Sequence, residues 1–178
     1  SIYKIMKYEK LELPEVIVIS PNSIKDERGE FFESYNKKMF EKITNLKKDF
    51  VQDNYSISKK NVLRGLHYQI EPYEQGKLVK VVKGEIFDVA IDIRKGSPTY
   101  KKYVSRILSE DNREQLWIPN GFAHGFLVLS EIAEVSYKCT DYYSKEGERS
   151  IIWNDKSINI SWPISGKPIL SKKDTEAK

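Results

Sequence analysis

Cysteine occurs once and histidine twice in the 178 residues of this chain, and both scarcities constrain it. A lone Cys139 excludes an internal disulfide and fits a reducing compartment, so a cytoplasmic protein is expected. No apolar run approaches the ~20 residues that cross a bilayer. No basic stretch followed by an apolar core and a small-residue cleavage site marks a secretory signal, so no membrane role is expected. Internal repeats, low-complexity tracts and Pro/Gly/Ser linkers are also missing, which predicts a single domain over residues 1–178. Charge of one sign is not in excess. Thirty basic residues against 26 acidic ones, mixed along the chain, give a net charge of +4, without the basic stripe of a nucleic-acid binder.

What the chain does have is β-forming sequence and aromatic rings. Aromatics make up 12% of it, eleven of them Tyr, which suits a β-rich core or a pocket that stacks on a planar ligand. Val16-Ile17-Val18-Ile19 reads as a first strand ending at the turn Ser20-Pro21-Asn22, and Asp26-Glu27-Arg28-Gly29 as a second turn. Asn36 is placed to cap a helix running to Lys47, with Met39, Phe40 and Ile43 at helical spacing. From residue 50 the pattern is short strands: 50–57, 61–69, 77–83, 85–94, 100–108, 113–118, 122–129 and 133–143. That succession, broken by short polar turns, predicts an all-β sandwich or barrel. Lys83-Gly84-Glu85 and Leu129-Ser130-Glu131-Ile132 are short enough to predict antiparallel hairpins. Alternation sets Phe87, Val89, Ile91 and Ile93 on a core face, with Ile86, Asp88, Ala90, Asp92 and Arg94 on a partly polar one. The same rule groups Tyr137, Cys139, Asp141 and Tyr143 on one face, which would send two phenols into any cavity it lines. The segment from Glu148, with Pro163 and Pro168, reads as an irregular wrap over the sheets.

The two histidines sit in similar settings: His67 in N-V-L-R-G-L-H-Y-Q and His124 in P-N-G-F-A-H-G-F, each among large apolar residues and glycines. Either one alone fits a core imidazole satisfied by backbone hydrogen bonds. A fixed neutral His67 near Arg64 would instead place a base beside an anion-binding cation. In a regular strand Arg64 and His67, three apart, face opposite ways; sharing a pocket requires a bulge or twist at Gly65.

The stretches R-G-L-H-Y-Q, Q-G-K-L-V-K-V-V-K-G-E-I-F-D-V-A-I-D-I-R, S-P-T-Y, Q-L-W-I-P-N-G-F-A-H-G-F-L-V-L-S, Y-K-C-T-D-Y-Y, W-N-D and P-I-L-S-K-K-D, in that order from about Val16 to Asp174, resemble the dTDP-4-dehydrorhamnose 3,5-epimerase family. The resemblance implies a cupin-type jelly roll, a homodimer that exchanges N-terminal strands, no cofactor and no metal. It implies a dTDP-linked 4-keto-6-deoxy sugar as substrate, epimerised at C3 and C5. By that resemblance His67 is the general base, Asp174 the carboxylate behind it and Tyr137 the general acid. Arg28, Glu33, Gln52, Asp53, Asn54, Arg64, Lys77, His124, Glu148 and Lys173 fall on substrate contacts, and Tyr143 falls where an aromatic stacks near the thymine. Ile2 to Tyr8 alternates apolar and polar residues, as a strand added to a neighbour's sheet would.

Three other readings stand beside this one. Relatives of the family invert one carbon only or act on other nucleotide-linked 4-keto sugars. P-N-G-F-A-H also resembles a cupin metal motif, although a facial metal site commonly uses a paired H-x-H, which this chain does not contain. A non-catalytic sugar-nucleotide binder would keep the fold, yet would not need both His67 and Tyr137.

Overall fold

The computed structural model describes residues 6–178. Two antiparallel sheets face each other. The first has the order β1 (Lys7–Lys10), β2 (Ile17–Ser20), β10 (Gln115–Ile118), β7 (Lys77–Lys83), β12 (Ile132–Cys139), β5 (Gln52–Lys59). The second runs β13 (Glu148–Ser150), β6 (Leu63–Gln69), β11 (Phe122–Val128), β8 (Glu85–Asp92), β9 (Tyr103–Ser109). A small hairpin, β3 (Ile24–Asp26) and β4 (Gly29–Phe31), stands apart and turns at the Asp26–Gly29 stretch. This is the all-β, cupin-type jelly roll that the strand pattern and the resemblance predict. Of the segment Ile2–Tyr8, residues 2–5 lie outside the described residues; Lys7 and Tyr8 belong to β1, which pairs with β2 of the same chain.

The two short turns are not hairpins. β7 and β8 lie in different sheets, and so do β11 and β12. The cause is apolar surface. Val79 and Val81, Ile86 and Ala90, Phe126 and Val128, and Ala133 and Val135 all enter one core between the sheets. A hairpin would hold each pair of strands in one sheet; crossing at Gly84 and Ser130 instead lets the inner faces bury one another. Gly84 makes its corner at φ 86°, and the Ser130 hydroxyl ties the two corners together by accepting from the Glu85 N–H at 2.9 Å.

Both faces of β8 are covered. Ile86, Asp88, Ala90 and Asp92 are fully buried on the inner side, so the face expected to be partly polar is interior. Val89 and Ile91, with Phe87 and Ile93, pack outward under the C-terminal wrap through Ile151, Ile158, Ile160 and Trp162. Asp92 tolerates burial because Arg94, Ser97 and Thr99 hydrogen-bond its carboxylate, which holds its pKa well below the ordinary range despite the opposing effect of burial.

α1 (Lys37–Thr44) starts at Asn36, whose side chain accepts from the Met39 N–H. It ends three residues before Lys47 because Asn45 turns left-handed at φ 55°. Phe40 and Ile43 seat it on Ile17, Ile19, Leu78 and Trp117, covering part of the outer face of the first sheet. β12 stops at Cys139, so the alternation expected to carry on to Tyr143 breaks there. A second helix, α2 (Lys172–Thr175), and β13 lie within the segment read as irregular.

β6 and β11 come unusually close. A Cβ on Gly65, where φ is 118°, would stand 2.7 Å from the His124 carbonyl oxygen and 2.8 Å from the Gly125 Cα. The pairing slips here, since His124 opposes His67 while Phe126 opposes Arg64. Three steps on β6 thus match two on β11, the bulge that the Arg64–His67 spacing demands. Gly65→Ala should therefore destabilise the fold by about 2 kcal/mol or more. Gly29→Ala is the control, because Gly29 has a similar φ of 127° and open space around it. Denaturant midpoints should fall further for Gly65→Ala than for Gly29→Ala, and equal losses would mean that the strand crossing imposes no constraint of its own.

Candidate active site

Between the sheets lies a cavity of about 590 Å³, a size that accommodates a ligand of several rings. Its walls come from β5, β6, β7, β11 and β12, and residues 169–174 close one side. That closing segment is pinned to β6. Leu63 N–H donates to the Ile169 carbonyl at 3.0 Å and Ile169 N–H to the Asn61 carbonyl at 2.8 Å. Ser171 then caps α2 by accepting from the Asp174 N–H at 3.1 Å, which aims the Asp174 side chain back into the sheet.

The result is a contact between residues 107 apart in sequence: His67 Nε2 lies 2.6 Å from Asp174 Oδ1. The other carboxylate oxygen, Oδ2, accepts from the Gly65 N–H at 3.1 Å. The Asp174 side chain is 4% exposed, and burial pushes its carboxyl pKa up. The bonds from His67, Gly65 and Ser171 outweigh this and hold it below the ordinary range. The ion stays charged and fixes the imidazole. His67 remains 32% exposed toward the cavity, with Nδ1 as the nitrogen left to accept a proton.

Tyr137 enters from the facing sheet. Burial raises its phenol pKa, so it stays a protonated O–H donor, while the Asn54 side chain opposes that shift. Lys77 Nζ sits 5.5 Å from the centre of the Tyr137 ring, its pKa drawn down by burial against the influence of Cys139 and Asp88. Arg64 donates from Nε to Ser58 Oγ at 3.0 Å, reaching from the second sheet to the first. His124 lines the same cavity, with its ring centre 6.2 Å from that of Tyr137. Its Nε2 is 2.5 Å from Asp88 Oδ1; burial lowers its pKa and Asp88 opposes.

Of the residues singled out in the sequence, Asn54, Arg64, His67, Lys77, His124, Tyr137, Lys173 and Asp174 line this cavity. Glu148 stands beside it, bonded to Lys173 and, at 2.8 Å, to the Tyr143 hydroxyl. Gln52 joins this group at second hand, since its Oε1 accepts from the Tyr143 N–H at 3.0 Å and its Nε2 donates to Asn54. Tyr143 itself does not line the cavity, so only one of the two expected phenols does. Asp53 faces the other side of β5, 3.2 Å from Lys138. Arg28 is exposed on the small hairpin and paired with Asp26, and Glu33 lies just beyond that hairpin; neither lines the cavity of its own chain.

Asp88 was missed. Its signal was present, an acid between Ile86 and Ala90 on an otherwise apolar strand face, but nothing in the sequence separates a buried carboxylate from one at a solvated edge. Among the described residues no group of three or more His, Cys, Asp or Glu side chains is clustered to hold a metal ion.

The family model for dTDP-4-dehydrorhamnose 3,5-epimerase matches residues 10–178. A dTDP-4-dehydrorhamnose 3,5-epimerase of Shigella flexneri is 59% identical over 169 residues, 95% of this chain and 93% of the relative. The crystal structure of a Legionella pneumophila dTDP-6-deoxy-D-glucose-3,5-epimerase in complex with dTDP-4-keto-L-rhamnose superposes with a TM-score of 0.93. It is 50% identical and covers 97% of this chain and 91% of that one. A 3'-monoepimerase from Streptomyces bikiniensis is more distant, 28% identical at a TM-score of 0.88 over 95% of this chain and 85% of that one. Matched over nearly its whole length in sequence and in fold, the chain belongs to the dTDP-4-dehydrorhamnose 3,5-epimerase family.

Proposed function

We propose that His67, backed by Asp174, removes the protons from C3 and C5 of a dTDP-linked 4-keto-6-deoxy sugar, and that Tyr137 returns protons to the opposite face. The chain is an isomerase of the 3,5-epimerase type. Its substrate on this reading is dTDP-4-dehydro-6-deoxy-D-glucose, converted to dTDP-4-dehydro-L-rhamnose. The observation that carries the proposal is the placement of an imidazole and a phenol on facing sheets of one cavity.

Each step has a residue suited to it. A C–H bond next to a ketone ionises when its electron pair can move onto the carbonyl oxygen, leaving an enolate. The Lys77 ammonium, beside Tyr137, supplies the positive charge for that oxygen. Asp174 holds the His67 ring in one tautomer and stabilises the imidazolium formed on proton uptake. Tyr137 then donates its O–H proton to carbon from the other side, inverting the centre. No electrons leave or enter, so the reaction calls for no redox cofactor. Arg64 and Lys173 offer positive charge to the diphosphate.

The same reading includes a homodimer. On the outer face of the first sheet α1 covers only one part. Tyr55, Ile57, Val82 and Ile132 are 54%, 64%, 48% and 47% exposed on the part it leaves bare. Apolar surface of that kind supports a second copy docking there. The hairpin carrying Arg28, with Phe31 68% exposed, supports delivery of Arg28 and Glu33 into the partner's cavity.

This reading is tested at the base, at the acid and at the dimer interface. His67→Ala should slow deuterium exchange at C3 and C5 by at least ~10³-fold, while calorimetry still detects substrate binding. Asp174→Asn should slow it less, and wild-type exchange in the alanine variant would remove His67 as the base. Tyr137→Phe should still exchange deuterium but yield ~100-fold less doubly inverted product. An unchanged ratio of inversion to exchange would instead make Tyr137 a packing residue. Sedimentation should give twice the 20.8 kDa chain mass, and a mixture of the Arg28→Ala and His67→Ala variants should regain activity through hybrid dimers. A monomer mass at micromolar concentration would end the dimer proposal.

A further inference from the structure

Asp88 is fully buried on the inner face of β8, next to core residues Ile86, Ala90 and Phe126. An ionised carboxylate in such a place costs several kcal/mol unless its charge is used. One oxygen, Oδ1, is occupied by His124 Nε2 at 2.5 Å. The other, Oδ2, is buried and has no hydrogen-bond partner. Its cross-strand neighbour on β9 is Arg106, the obvious cation to neutralise it. That guanidinium is turned away, bonded to Glu114 at 2.7 Å and to Glu9 at 3.0 Å. Asp88 Oδ2 is therefore left without a partner in the core, behind the cavity-lining His124.

We infer that Asp88 is a positioning residue of the reaction: it holds His124 in one orientation and serves as the buried countercharge of Lys77. This rests on the epimerase reading above, in which Lys77 meets the enolate oxygen. The groups facing Lys77 make the case. β12 contributes Tyr137 and Cys139, β11 contributes His124, β8 contributes Asp88, and His67 on β6 lines the same cavity. From β10 the register partner of Lys77 is the apolar Ile118.

Burial pushes the Cys139 thiol up to about 11, so it is neutral at working pH. Tyr137 is also held neutral by burial. Among the groups named around Lys77, Asp88 is then the carboxylate whose influence opposes desolvation of the Lys77 ammonium. The demand is greatest during turnover. When His67 takes the proton from carbon it becomes a cation in the same cavity, which would favour proton loss from Lys77 just as the enolate needs it. A buried carboxylate fixed by His124 and acting on Lys77 resists that loss and needs no reorganisation. No bond to Asp88 forms or breaks.

The test is the pH profile for loss of the C3 and C5 protons of dTDP-4-dehydro-6-deoxy-D-glucose, a step that uses His67 and Lys77 but not the Tyr137 proton. Asp88→Asn keeps the shape of the side chain and removes its charge. Its alkaline limb should move to lower pH by about one to three units, the usual effect of losing an opposite charge at close range. Asp88→Glu should move the limb back toward wild type, and His124→Gln, which leaves Asp88 in place, should lower the rate without moving the limb. A limb that stays put in Asp88→Asn, with the rate reduced equally at every pH, would make Asp88 a packing residue and overturn the inference. Should Asp88→Asn fail to fold, NMR titration of ¹³Cε-labelled lysine in the wild-type enzyme, assigned with Lys77→Arg, decides. A Lys77 midpoint inside the pH range of full activity would equally overturn it, and one above that range supports it. A wild-type enzyme that releases neither proton would instead refute the epimerase reading itself.

Discussion

Two backbones meet with no side chain between them where Gly65 on β6 crosses Gly125 on β11, and the site is built outward from that contact. A Cβ on Gly125 would stand 2.9 Å from the Arg64 carbonyl oxygen, so neither strand can carry a larger residue without moving apart. The crossing accommodates the extra residue on β6 that turns Arg64 and His67 toward the same cavity and leaves His67 opposite His124. It also frees the Gly65 N–H from the ladder to bind Asp174, so the feature that aims the imidazole also anchors the carboxylate behind it. Backbone geometry, more than side-chain packing, sets the position of the His67 ring.

Two imidazole–carboxylate pairs result, nearly equal in contact distance and different in setting. Asp174 sits under a partly exposed His67 and is surrounded by donors, which favours its charge and fixes the ring. Asp88 and His124 are both buried, and desolvation keeps that imidazole neutral. Similar residue pairs are thus sorted by solvent exposure into one that opens onto the cavity and one shut inside the core.

Much of this was legible from the residues themselves. The strand alternation, the Asn36 cap and the need for a bulge at Gly65 are local statements, and local chemistry decided them. The corners at Gly84 and Ser130 were misread as hairpins because a short turn says where the chain reverses but not into which sheet it goes; the apolar residues on both flanking strands decide that, through partners far away in sequence. The pairing of His67 with Asp174 was available only through resemblance, since a polar tail L-S-K-K-D has no periodicity pointing to a histidine 107 positions earlier. Asp88 needed three dimensions for another reason, namely that burial depends on which face of β8 meets the opposite sheet.

The crossing of successive strands between sheets also governs how the molecule must assemble. Among the described residues only β1–β2, β3–β4 and β8–β9 pair with a neighbour in sequence; every other ladder there joins strands separated by at least one intervening element. Loop closure has to be completed before most of these contacts return any stability, which places the chain among slow-folding topologies rather than fast ones. β6 is paired on both sides by strands that come much later, β11 and β13, and the 169–174 segment closes over it. Closure of the cavity around His67 should therefore lag behind the gain of bulk β-structure during refolding, because that ring is held by the longest-range contacts in the site.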